Sequence, residues 1–177
     1  MNDFAPGSAI AIDKGYWIEV TRGMVDSIVK HLAPTLDNCD GGLYVGCAGV
    51  AYSLYYLAVS EPFADMKGPL LSKAREYLDV ALAYAAKKKK DNDCAFLLGG
   101  AGCYAVGSVI CDAMGQGNLG HDLRNKYRSL STACQPVNFL RNGSDELFVG
   151  RAGYICGALF LNHAYHQPAR ICSDSIY

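Results

Sequence analysis

The sequence has no excess of either charge: 16 basic and 17 acidic residues leave a formal net charge of −1. Such a chain has no general electrostatic basis for binding nucleic acid, so no nucleic-acid partner is expected. The first eleven residues lack the basic and then apolar segments of a secretory leader, and Asn2 stands where N-myristoylation requires glycine. We expect a cytoplasmic protein, with peripheral attachment at the plasma membrane left open.

Eight cysteines are present, but none forms a C-x-x-C pair and none is followed directly by histidine. The first absence removes the sequence signal of a zinc knuckle or a redox pair. The cysteines are scattered, and several lie inside apolar runs, where thiols act as small buried side chains. In a chain without a leader they predict reduced and mostly buried thiols.

The chain also lacks a long apolar run that is free of turn residues. Residues 41–60 and 94–111 carry no charge and approach the length of a membrane-spanning helix, but each contains a glycine motif. If this motif is a turn, about 9 to 11 apolar residues remain for the helix, against about 20 needed to span a bilayer. Together with a mean hydropathy of +0.07, this predicts no transmembrane segment.

What the chain does contain is one short motif in three copies. Residues 43–49 read LYVGCAG, residues 96–102 read FLLGGAG and residues 147–153 read LFVGRAG. The last glycines of the copies stand 53 and 51 residues apart, which indicates one structural unit built repeatedly. The glycines predict tight turns and close approach of neighbouring backbones.

A segment with helical spacing of apolar residues precedes each motif. In the first such segment, Val20, Met24, Ile28 and Leu32 recur every fourth residue, as in an amphipathic helix. The segment after each motif has no polar face, which predicts a helix buried on all sides. Each unit is therefore predicted to contain an amphipathic outer helix, a glycine turn and an apolar inner helix.

Stacked units of this kind predict an all-α fold, an α/α toroid built of αα-hairpin repeats. We expect one partial domain over residues 1–177. Its repeats are predicted at 16–60, 67–112 and 120–166, followed by an irregular tail at 167–177.

Arg151 is the one charged residue inside a motif, where the other copies have Cys47 and Gly100. Its side chain either points into the central cavity and binds the carboxylate of a cofactor, or ties neighbouring turns through their carbonyl groups. The sequence leaves both roles open. If the inner helices run parallel, their amino-terminal ends meet at one mouth of the ring and attract anions weakly.

Three further patterns have a functional and a structural interpretation each. Asp145 and Glu146 form either the acid pair of a sugar-processing enzyme or the start of a helix. His163 and His166 have metal-ligand spacing without a third ligand, so they fit the polar end of the last helix. Residues 115–120 match G-x-G-x-x-G, but no strand precedes them, which favours a flexible connection. No catalytic residue and no metal ligand is assigned.

The three motifs, above all residues 146–154 with the sequence ELFVGRAGY, closely resemble the LanC-like family, the eukaryotic relatives of bacterial lanthionine cyclases. The resemblance covers roughly residues 16–165. It implies a double-layered toroid of seven hairpins around a zinc ion held by two cysteines and a histidine. It also implies glutathione as the thiol that zinc activates for addition to a dehydroamino acid, with formation of a thioether.

Seven units of about 52 residues need roughly 360 residues, and this chain has three units. The family's zinc ligands include a Cys-His dipeptide that is absent here. We therefore expect an N-terminal fragment that lacks the zinc site and is inactive alone, whereas the complete protein is implied to bind zinc and glutathione. The alternatives are a non-catalytic helical module that binds glutathione or a protein partner, and a sugar-processing enzyme.

Overall fold

The structure is a computed structural model that describes residues 13–87 and 94–165. Within these ranges the regular elements are six α-helices and three 3-10 helices. They fall into two compact units, one ending at Ala33 and the other beginning at Pro34. The end of the predicted third repeat at His166 and the predicted tail at 167–177 lie outside the described residues.

The first unit contains helix α1, Lys14–His31. Its start is fixed by Asp13, whose carboxylate accepts the backbone N–H of Tyr16 at 3.0 Å, as expected of an N-cap residue. This cap satisfies one of the N–H groups that the first turn of a helix leaves without a partner.

Helix α1 contains no buried residue. In its predicted apolar stripe, Met24 is 59 % exposed and Ile28 is 37 % exposed, whereas Val20 and Leu32 are half-buried. The stripe is therefore exposed in its middle and half-buried at its two ends.

The second unit contains five α-helices joined by turns. They are α2 (Cys47–Ala58), α3 (Lys67–Lys87), α4 (Gly100–Ala113), α5 (Gly117–Ser129) and α6 (Arg151–Ala164). Three 3-10 helices lie between them at Leu36–Asn38, Glu61–Met66 and Leu130–Cys134. Helix α3 packs against both α2 and α4, and α4 also packs against α5, α6 and α2.

The predicted outer helices α3 and α5 each bury one apolar stripe. In α3 the buried side chains recur at helical spacing: Leu70, Leu71, Ala74, Tyr77, Leu78 and Ala81. In α5 they are Leu123 and Tyr127, next to the buried backbone of Gly120. Both stripes agree with the sequence prediction, because charged residues on the other faces leave one orientation toward the core.

The inner helices are not equally buried, although all three lack charges over most of their length. Helix α4 buries 11 of its 14 residues, whereas Tyr56 of α2 is 62 % exposed and Leu159 of α6 is 53 % exposed. The prediction of burial on all sides therefore holds for α4 and was wrong for α2 and α6. Helix α4 is buried more completely because it packs against four of the other described helices.

Candidate functional site

The site begins with the loops formed by the three glycine motifs. In each copy the first glycine is the N-cap residue and the next residue starts the inner helix, which is Cys47 in α2, Gly100 in α4 and Arg151 in α6. The second half of each motif is thus helical, and the sequence prediction of a turn applies only to its first half. Gly46 has φ +89°, a conformation that side chains rarely adopt.

The last glycine of each motif touches the backbone of the residue that opens the motif. A Cβ placed on Gly49 would lie 2.4 Å from the carbonyl oxygen of Leu43. The same distance is 2.0 Å for Gly102 and Phe96, and 2.1 Å for Gly153 and Leu147. Because no side chain fits there, the glycines are required by close backbone packing, as the sequence predicted.

Neighbouring motif loops are joined through their backbones and side chains. The N–H groups of Leu43 and Tyr44 both donate to the carbonyl of Leu97, at 2.8 and 3.0 Å. The Tyr44 ring meets the Phe148 ring edge to face, with centroids 5.5 Å apart. The amino-terminal ends of α2, α4 and α6 therefore lie side by side, the condition for the predicted anion-attracting mouth.

Arg151 connects its own helix to the segment that precedes it. Its Nη1 donates to the carbonyls of Cys134 and Pro136 at 2.8 and 2.7 Å, and its Nη2 donates to Val137 at 2.8 Å. Its Nε donates to Asp145 Oδ1 at 2.5 Å. These bonds use four of the five N–H groups of a guanidinium. Arg151 thus makes the carbonyl contacts of its second predicted role, and its binding of an external carboxylate stays a prediction.

Asp145 and Glu146 lie in the turn before α6, so the prediction that they begin a helix was wrong. Asp145 is held by Arg151, and this hydrogen bond lowers the pKa of its carboxyl group. Glu146 accepts the backbone N–H of Val149, and this bond and one from Phe148 lower its pKa as well. A glycosidase needs one carboxyl group with a raised pKa as its general acid. Neither residue has that property here.

Six of the seven described cysteines are buried. Burial is the main cause that raises the pKa of Cys47 to about 11 and that of Cys103 to about 12. Zinc requires deprotonated thiols in sets of three or four ligands. No set of three His, Cys, Asp or Glu residues suited to a metal occurs in the part of the chain that the structure describes. These residues do not fit a zinc site.

The remaining sequence patterns have ordinary structural surroundings. His163 is exposed near the end of α6, and His166 lies outside the described residues. Residues 115–120 follow helix α4, so the dinucleotide-binding context is absent there. Most of them belong to α5, so a flexible connection was wrong. Beside them is an open cavity of about 570 Å³, lined by Arg75 and residues 115–119.

Two polar contacts, one buried and one half-buried, were missed by sequence reasoning. Tyr127 and Tyr154 stack with centroids 4.7 Å apart, and each hydroxyl donates to the other residue's backbone carbonyl. Asp112 Oδ2 accepts from Arg124 Nη1 at 2.6 Å and from the hydroxyl of Tyr165 at 2.7 Å. No local sequence pattern marks either contact, since the partners are far apart in the chain.

The described fold and loops define a helical repeat protein whose inner helices begin at glycine motifs. The model of the lanthionine synthetase C-like protein family matches residues 38–175. Because this match covers most of the chain, the chain belongs to that family. The predicted all-α fold class, with helical hairpin repeats of the α/α-toroid type, and the predicted family are confirmed. None of the helices that the structure describes is long and apolar enough to cross a membrane.

Proposed function

We propose that this chain provides the glycine-motif scaffold of a LanC-like thioether-forming protein and performs no chemistry alone. The observation that supports this proposal is the set of three joined motif loops, which brings three helix amino-terminal ends together. In the complete ring implied by the resemblance, zinc activates the thiol of glutathione for addition to a dehydroamino acid. Six of the seven described cysteines are buried, as expected of thiols that act as small core side chains, and this supports the proposed cytoplasmic location.

The proposed lack of activity depends on the zinc ligands. The buried thiols of Cys47 and Cys103 hold their protons well above neutral pH, and a metal would have to displace those protons before binding. Among the described residues, neither thiol belongs to a group of three His, Cys, Asp or Glu side chains that could hold a metal ion. In this proposal the scaffold positions helices around the zinc ion of the complete ring, and residues other than those described bind the zinc.

Two measurements on the purified 177-residue chain test this proposal. We expect far less than one zinc ion per chain by plasma mass spectrometry after incubation with zinc and dialysis. We also expect no glutathione adduct on a dehydroalanine peptide above the rate without protein. A Cys156→Ser variant controls for metal held at the exposed thiol. Stoichiometric zinc that a chelator removes together with adduct formation would show the proposal to be wrong.

A non-catalytic binding module is the second candidate, and the exposed side chains of the motif loops favour it. Tyr44 and Phe148 touch each other while both remain exposed, and Val45 and Leu147 are exposed beside them. Apolar side chains grouped in this way are typical of binding surfaces. Arg151 adds one N–H group that its four hydrogen bonds leave for a ligand carboxylate.

Glutathione titration by calorimetry separates the two candidates. If the chain is a glutathione-binding module, heat of binding is detected and falls with Tyr44→Ser and with Arg151→Lys. If the chain is only a scaffold, no binding heat is seen with the wild-type chain. Tyr56→Ser, which removes an equally exposed ring from α2, is the matched control for nonspecific loss of apolar surface.

A further inference from the structure

Helix α1 carries large apolar side chains that remain exposed. Trp17, Met24 and Ile28 are exposed, and they stand seven and four positions apart, so they lie on one face of the helix. Tyr16 extends this row, because its ring meets the Trp17 ring edge to face with centroids 5.3 Å apart. These four residues form the exposed face of α1. Apolar side chains grouped in this way are typical of a binding surface.

The two ends of the exposed face carry opposite charges. Asp13 caps the start of α1, four residues before Trp17. Lys30 and His31 lie in the last turn, shortly after Ile28. All three end residues are exposed. Two such helices are complementary when they run antiparallel, because each acidic end then meets a basic end and the helix dipoles oppose each other.

Two small residues beside the exposed face leave room for a second helix. Gly23 and Ser27 are one turn apart, and both are exposed. A Cβ placed on Gly23 would meet nothing within 4 Å. Packing among the described residues therefore does not require this glycine, although glycine is a poor helix former. Glycine in such a place allows another backbone to approach closely.

An antiparallel pair of α1 helices with Asp13 opposite His31 uses both features. Moving four residues inward from each end places Trp17 of one copy opposite Ser27 of the other, one turn from Gly23. The large ring then covers the small residues, so the two helices pack closely. The same contacts occur twice about a twofold axis halfway along α1, so the pair is closed and does not grow into a filament.

We propose that the exposed face of α1 is a self-association surface, which binds α1 of a second copy of this chain in the antiparallel direction. A membrane surface fits this face less well. Helices that lie on membranes carry mainly Lys and Arg on their polar side, whereas Glu19 and Asp26 stand on the polar side of α1. A pair of 18-residue helices is small against the standard interface of about 800 Å² per partner. The dimer is therefore weak and forms only at high protein concentration.

Sedimentation velocity of the purified chain tests self-association. The average mass should rise from that of one chain toward that of two between about 1 and about 100 µM, the range expected of a small interface. Met24→Glu should raise the dissociation constant about tenfold or more, because it places a carboxylate in the centre of the apolar contact. Leu159→Glu, at an exposed leucine of α6, is the matched control and should leave association unchanged. Circular dichroism should show the same helix content in both variants, since both side chains are exposed.

Zero-length cross-linking of the wild-type chain tests the antiparallel direction. A carbodiimide joins a carboxylate to an amine that touches it, with loss of one water. Asp13 and Lys30 of one chain are 17 residues apart on the same helix, which is about 26 Å, so an amide between them forms only between two copies. The expected product links tryptic peptide 1–14 to peptide 23–67, and fragmentation assigns the link to Asp13 rather than Asp3. Lys30→Arg keeps the charge, so it should remove this link and leave the dimer.

Four results would contradict the proposal. It is overturned if the chain stays monomeric over this concentration range, if Met24→Glu and Leu159→Glu weaken association equally, or if a dimer forms without the Asp13–Lys30 link. It is also overturned if the monomer binds vesicles of phosphatidylserine and phosphatidylcholine and loses this binding with Met24→Glu, because the exposed face would then be a membrane-binding surface.

Discussion

The first and third glycine motifs have the same backbone packing but different residues at the start of the inner helix. Cys47 is placed with its sulfur 3.7 and 3.6 Å from the carbonyl oxygens of Thr35 and Asn38. Arg151 donates to the carbonyls of Cys134, Pro136 and Val137 at 2.7 to 2.8 Å. In both motifs, the variable side chain holds the segment that precedes the motif, once by weak thiol contacts and once by charge-assisted hydrogen bonds.

This comparison separates the constant part of the motif from the variable part. The last glycine is constant because a carbonyl oxygen occupies the space of any side chain there. The first helical residue is free to differ because its side chain points to a preceding segment that differs between copies. Replacing the last glycine should therefore destabilise the fold to a similar extent in whichever copy it is made. Replacing the first helical residue should affect only the segment that precedes its own motif.

The largest expected effect comes from placing alanine at the last glycine. Gly49→Ala and Gly153→Ala would each put a Cβ 2.4 or 2.1 Å from a backbone oxygen, so each should lower the free energy of unfolding by about 3 kcal/mol or more. Urea unfolding followed by circular dichroism measures this. Gly68→Ala in α3, where a Cβ meets nothing within 4 Å, is the matched control and should change the free energy of unfolding by no more than about 1 kcal/mol. If Gly49→Ala left the free energy of unfolding unchanged while Gly153→Ala lowered it, the last glycines of the two motifs would not be equivalent.

The next effect concerns Tyr154, which follows Gly153 at the position of Val50 in the first motif. Tyr154→Phe and Tyr127→Phe each remove one buried hydrogen bond to a backbone carbonyl. Each should lower the free energy of unfolding by about 1 kcal/mol. Tyr56→Phe, on an exposed face of α2, is the matched control and should change little. If both buried variants change the free energy of unfolding as little as Tyr56→Phe does, the two tyrosine hydrogen bonds do not stabilise the third motif beyond the first.

The sequence predicted the parts of the molecule that depend on local spacing. The glycine contacts and the stripes of α3 and α5 follow from residues that lie within one turn or one helix of each other. The uneven exposure of the α1 stripe could not be predicted, because Val20 and Met24 follow the same helical spacing but differ in exposure. The Tyr127–Tyr154 contact joins residues 27 positions apart, and only the packing of helices brings such residues together.

An effect of comparable size is expected from pH, at the residue that corresponds to Tyr154 in the second motif. Burial raises the pKa of Cys103 from 9.0 to about 12, so the folded chain keeps a proton that the unfolded chain loses. The stabilising contribution is complete below about pH 9 and declines as the pH rises toward 12, by about 1.4 kcal/mol per pH unit. Urea unfolding at about pH 9 and about pH 10 measures the slope. Cys103→Ala should reduce that slope, and an unchanged slope would contradict the burial of this thiol.

The smallest effect should be local and should distinguish Arg151 from Cys47. Arg151→Lys keeps the positive charge but loses the planar fork that reaches three carbonyls. We expect faster amide hydrogen exchange in residues 134–140, with little change in exchange within α4. Cys47→Ala removes only weak thiol contacts, so exchange in residues 35–39 should change less. Equal changes in the two segments would mean that the variable residue holds its preceding segment with the same strength in both motifs, whatever its charge.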